Sequence, residues 1–185
     1  VSNGAAQHGS YPSLGVTRKQ MRSLTYDASY FEVRSLGDLE FGAVFSATID
    51  GQKHLCLYFD RDGRKKVLFL AGPKVVALDS ARLPLLVVEF VGPLMISPDP
   101  LSHAAVPPKG LGIFIGLSGM LSIFYDNGTT RIYLDPSDGI ATEGVTAGDA
   151  GLYFSDWTIS QWRDGTEVVL FASGARAALP EAANP

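Results

Sequence analysis

The stretch Leu55–Leu70 reads LCLYFDRDGRKKVLFL. Its two apolar runs flank Asp60-Arg61-Asp62-Gly63, and a turn containing Asp-Gly between such runs is the strongest short-range hairpin signal, because a tight reversal needs residues that accept positive φ. Strand side chains alternate, so Leu55, Leu57 and Phe59 are expected on one face and His54, Cys56 and Tyr58 on the other.

Upstream, Tyr30–Arg34 and Gly42–Ile49 carry the same strand signals, and Asp50-Gly51 joins the second of them to Lys53–Phe59. With Lys66–Leu70 these segments form a meander. Val75–Leu78 and Leu85–Val91 follow as further strands, and the second is so continuously apolar that it reads as a central strand buried on both faces. Residues 92–110 contain Pro93, Pro98, Pro100, Pro107 and Pro108 and read as a long connection.

The second half repeats the pattern with Gly112–Leu117, Leu121–Tyr125, Arg131–Leu134, Leu152–Phe154, Trp157–Trp162 and Glu167–Phe171, turning at Asp126-Asn127-Gly128 and Arg163-Asp164-Gly165. Gly110, Gly112, Gly116 and Gly119 would suit bulges or tight bends. Leu121–Leu134, LSIFYDNGTTRIYL, matches Leu55–Leu70 in order: apolar strand, Asp, turn Gly, apolar strand. Internal duplication is one reading of that match; the shared grammar of any two hairpins is the other.

Residues 1–16 have no periodic apolar pattern and read as a flexible N-terminal arm. Thr17 with Gln20 makes a capping box, and Val16, Met21 and Leu24 supply an apolar side, which predicts a short helix over 17–25. The expected fold is therefore mainly β: an antiparallel β-sandwich or barrel built from hairpins and meanders, with one short N-terminal helix. Residues 17–185 form a single domain, divisible into halves 17–96 and 110–185.

Composition supports a buried core, with 46% hydrophobic and 18% charged residues. The net charge of -4 offers no general attraction for nucleic acid or anionic lipid. The local basic group Arg61, Arg64, Lys65 and Lys66 reads as protection of an exposed strand edge. No segment is long and apolar enough to be a membrane span. The count of Cys 1 excludes an intrachain disulfide and a multi-cysteine zinc site. Val1–Ser10 is small and polar, as the start of a processed product is, so a periplasmic or secreted protein is expected; a cytoplasmic one also fits the single cysteine.

His54 and Cys56 project from one face of a strand, and His103 lies in the proline-rich connection. If these three converged they could form a metal site or a Cys-His nucleophile, and His54 with Tyr58 and His103 could form an acid/base site; the plainer reading is a small buried thiol beside a rim histidine. Asp60-Arg61-Asp62-Gly63 lacks the terminal Glu of a calcium loop, and Asp135–Gly139 with Glu143 and Asp149 also composes an ordinary turn, so no metal is assigned. No cofactor fingerprint or nucleophile elbow is present.

Near the last hairpin, Trp162, Tyr153, Gln161 and Arg163 offer a ring-and-amide platform for a sugar or peptide. Alternation places Trp157 with Ile159 in the core and leaves Trp162 exposed. These features favour a non-catalytic secreted or periplasmic β-domain that binds a protein or small ligand, of inhibitor, immunity or ligand-binding type. The alternatives are a small β-barrel enzyme acting through His54, and a self-assembling structural β domain.

Overall fold

The computed structural model describes residues 29–77, 83–144 and 150–174. The arm expected over 1–16 and the helix expected over 17–25 lie outside the described residues. In chain order the strands are β1 (Phe31–Ser35), β2 (Val44–Ile49), β3 (Gln52–Arg61), β4 (Arg64–Phe69), β5 (Lys74–Ala77), β6 (Leu86–Phe90), β7 (Leu94–Pro98) and β8 (His103–Ala104). They continue as β9 (Gly110–Gly116), β10 (Leu121–Asp126), β11 (Arg131–Leu134), β12 (Ala141–Thr142), β13 (Gly151–Phe154), β14 (Trp157–Arg163) and β15 (Thr166–Ala172). Short 3₁₀ turns cover Leu36–Asp38 and Pro100–Ser102.

Three hairpins turn on an Asp-Gly pair with positive φ at both positions: Asp50-Gly51, Asp62-Gly63 and Asp164-Gly165. This is the twist that matches two-residue reversals to right-twisted strands, and Asp and Gly tolerate it best. The turn chemistry thus fixes the register of β2–β3, β3–β4 and β14–β15.

The first sheet has the order β1-β6-β2-β3-β4-β5, and the second, read from its other edge, β8-β13-β9-β10-β11-β12. Each is a four-strand meander with a later strand returning between its first strand and the strand that opens the unit. The repetition extends to register. The cross-strand row Val44, Leu57, Leu68, Val75 has its counterpart in Ile113, Ile123, Leu134, Ala141. One strand then leaves each sheet, β7 from the first half and β14 from the second, and the two pair antiparallel with Ile96 opposite Ile159. Counted from that pair, Leu94 stands two residues before Ile96 as Trp157 stands two before Ile159, so the two are counterparts in the β7–β14 ladder. β15 adds to the outer edge of β14, completing a three-stranded sheet of order β15-β14-β7.

The matching rows face one shared interior. Val44, Leu57, Phe59 and Leu68 from the first sheet meet Ile113, Ile123, Tyr125 and Leu134 from the second, with Trp157 and Ile159 from the third. On the far face of the first sheet, Phe45, Cys56, Tyr58 and Val67 pack under Leu36 and Leu39. On the far face of the second, Phe114, Phe124, Tyr133 and Tyr153 form an aromatic cluster. Each buried large apolar side chain contributes about 1.5–3 kcal/mol relative to exposure, so burial in the shared interior is what chiefly holds the halves together.

Several expectations are corrected. The antiparallel sheets do not close into a barrel. Residues 92–110 are not a bare connection: they contain β7, a 3₁₀ turn and β8. β7 tolerates proline because Pro98 ends an edge strand, where a missing N–H costs no ladder bond. The Leu85–Val91 segment is an interior strand, hydrogen-bonded between β1 and β2, but it is not buried on both faces: Leu85 is 78% and Leu86 60% exposed. An apolar run reports strand propensity, while burial depends on how far the facing layer extends over it.

Candidate functional site

β3 places His54, Cys56 and Tyr58 on the face predicted for them, yet their side chains have separate neighbours. The His54 ring stands edge-on to Phe69 at 5.3 Å between centroids. Tyr58 is fully buried and stacks on Phe41 at 5.2 Å. Cys56 is fully buried, its Sγ lies 3.8 Å from the His54 carbonyl, and burial pushes its thiol pKa up to about 12. A thiol held that firmly protonated is a poor nucleophile and a poor metal ligand. His103 sits in the other six-stranded sheet, opposite Phe154, with Nδ1 2.8 Å from the Pro100 carbonyl. The structure does not bring His103 to the His54 face.

Among the described residues no group of three His, Cys, Asp or Glu side chains is placed to hold a metal ion. The turn carboxylates bind their own backbone: Asp60 Oδ1 accepts from Gly63 N, Asp135 Oδ1 from Ser137 N, and Asp138 Oδ1 from Ile140 N.

The last hairpin divides its candidates. Trp157 is fully buried against Phe171, and Trp162 is 49% exposed near the end of β14, although Thr158 and Ser160 on its own face are buried. Gln161 is fully buried, with Nε2 donating to the Tyr30 and Val91 carbonyls and Oε1 accepting from Arg163 Nε. Arg163 also lies over the Tyr30 ring, and the Tyr30 hydroxyl donates to Asp164. Gln161 and Arg163 therefore tie the start of the first sheet to the hairpin. Tyr153 belongs to the second sheet, buried in its aromatic cluster, where its hydroxyl shares a 2.8 Å hydrogen bond with that of Tyr133. Burial, with that bond, raises the Tyr133 pKa, so Tyr133 stays protonated. Trp162 is left as an exposed ring without the other three beside it.

A different site emerges where the halves meet. Gly42, Val44, Leu57, Leu94, Ile96, Leu121, Ile123, Pro136, Ser137 and Ile159 line a cavity of about 350 Å³. Ser137 carries the sole side-chain hydroxyl in that lining, and no ionisable group is part of it. A larger recess borders Lys109, Tyr125, Asp126 and Arg131, and there Arg131 and Asp126 are paired with each other, Arg131 Nη2 lying 2.7 Å from Asp126 Oδ2. The apolar cavity is thus the better-formed receptor. Sequence reading missed it because Leu94 and Ile96 fell in the expected connection; their spacing two apart, ahead of Pro98, was the available signal for an edge strand.

The cavity has a structural cause in the repeated topology. At the corresponding place on β14, Trp157 is fully buried and meets the Phe171 ring of β15 at 4.9 Å. On the first half Leu94 replaces that tryptophan, and no described strand covers the outer edge of β7. Leu94 and Ile96 are accordingly half-buried, whereas Trp157 and Ile159 are buried.

Comparison of the chain with protein-family models, curated proteins and solved structures finds no match in any of the three. No helix among the described residues is long and apolar enough to cross a membrane.

Proposed function

We propose that this chain is a non-catalytic binding protein whose ligand seats an apolar group in the cavity between the two halves. The observation that carries the reading is the cavity itself, about 350 Å³ of space with an aliphatic lining and no ionisable side chain. Binding pockets of that size are predominantly apolar, and catalysis by general acid or base needs a titratable group within reach of the substrate. The dispersal of His54, Tyr58 and His103 supports the same choice over an acid/base enzyme.

The test is a titration of the full chain with the neutral fluorophore N-phenyl-1-naphthylamine. Saturable enhancement of its emission is expected, with affinity lowered about tenfold or more, or roughly 1.4 kcal/mol, by Leu94→Trp, which places in the cavity the side chain that stands at the corresponding position of β14. His54→Ala should leave the isotherm unchanged. Absence of saturation, or an isotherm indifferent to Leu94→Trp, would overturn the proposal.

A further inference from the structure

The repeated topology leaves one position occupied in one half and open in the other. β15 runs antiparallel along the outer edge of β14, with Phe171 opposite Ile159 and its ring against Trp157. By the register of the antiparallel β7–β14 pair, Ile96 corresponds to Ile159 and Leu94 to Trp157. The equivalent position is therefore the outer edge of β7, where no described strand pairs and where the apolar cavity opens beside Leu94 and Ile96. An unpaired strand edge offers main-chain donors and acceptors to an added strand, and a cavity beneath it selects the side chain that strand inserts.

The charges around the cavity narrow the occupant further. Charged residues within two positions of the lining residues are Glu40, Asp135 and Asp138, all acidic, on the Gly42 and Pro136–Ser137 sides. Glu40 and Asp138 are exposed. A strand bearing Lys or Arg beside its apolar residues is attracted there, and an acidic strand is repelled. Resting on the binding reading above, we infer that the outer edge of β7 receives an extended basic peptide of a partner protein, antiparallel to β7, with an aromatic side chain entering the cavity opposite Ile96. It occupies in the first half the place that β15 occupies in the second.

The probe is a synthetic peptide with the β15 sequence Thr166–Ala172 in which Glu167 is exchanged for Lys, added to the full chain and followed by amide hydrogen exchange and by calorimetry. Slowed exchange at Leu94 and Ile96, whose amides point away from β14, with binding weakened about tenfold or more by Leu94→Trp and by keeping the glutamate in the peptide, is expected. Because Leu94→Trp could disturb folding, slowed exchange in the unsubstituted chain is scored independently of it. Protection that appears elsewhere, at β1 or at the Trp162 hairpin, or no protection at all, overturns the inference. So does β7 already protected without peptide in a concentration-dependent manner, since a second copy then holds the edge. If the naphthylamine binds and the peptide does not, the strand site fails while the apolar receptor stands; if neither binds, both fail.

Discussion

Trp157 and Trp162 sit five residues apart on β14 and meet opposite surroundings, the first fully buried in the shared core and the second 49% exposed. Truncating a buried tryptophan removes its transfer free energy and leaves a cavity, so Trp157→Ala is expected to cost about 3–5 kcal/mol. Trp162→Ala should change stability by no more than about 0.5 kcal/mol. Urea unfolding of the two variants checks both, and a large loss for Trp162→Ala would show a packing role that its exposure does not indicate. Alternation puts the two rings on opposite faces, as it does Leu57 and Phe59 against Cys56 and Tyr58, but the contrast in burial comes from position: Thr158 and Ser160 on the Trp162 face are buried, and Trp162 lies near the strand end. What alternation could not show is that both faces of β3 are covered. Cys56 and Tyr58 are as buried as Leu57 because a separate cluster, capped by Leu36 and Leu39, packs on their side.

Among the elements, the β10–β11 hairpin shows how a turn holds its strands. Asp126 Oδ1 accepts from Gly128 N at 2.7 Å, and Oδ2 accepts from Arg131 Nε at 2.8 Å, across the turn. The Gly128 bond, followed by the Arg131 bond, lowers the Asp126 pKa below its ordinary 3.8. A depressed carboxyl pKa means that the unfolded chain binds the proton more readily. The stabilisation is then fully present above the ordinary aspartate range and is lost as pH falls through the depressed folded value. Replacing Asp126 with Asn should flatten the acid limb of the stability-versus-pH curve, measured by urea unfolding between about pH 2 and 6. An unchanged acid limb would show that this carboxylate carries no linkage. Of all the strands, β7 was the least legible in the sequence. It has five residues and ends in a proline, and its pairing is with β14, far along the chain.

For the whole molecule, the decisive feature is that neither half encloses the largest core by itself. Val44, Leu57 and Leu68 are buried by Ile113, Ile123 and Leu134 of the other half, and β7 completes its ladder with β14. The halves are thereby coupled through a single core, and domains that share one core unfold together. Thermal unfolding should give one calorimetric transition whose van't Hoff and calorimetric enthalpies agree, with tyrosine and tryptophan signals superimposing. Two resolved transitions would show that the halves are independent.

The strands, their hairpins and the face each side chain takes could be read from the order of residues alone. Those are local properties, set by period-two alternation and by Asp-Gly pairs that accept the backbone twist of a tight turn. The likeness between Leu55–Leu70 and Leu121–Leu134 was equally visible there. Its extension to strand order and cross-strand register, the open edges of the sheets, and the cavity lined by Leu94 and Ile96 came into view with the folded chain. The reason is physical: pairing between distant strands and the space left between layers depend on how whole faces fit together, and a segment carries no record of which face will cover it.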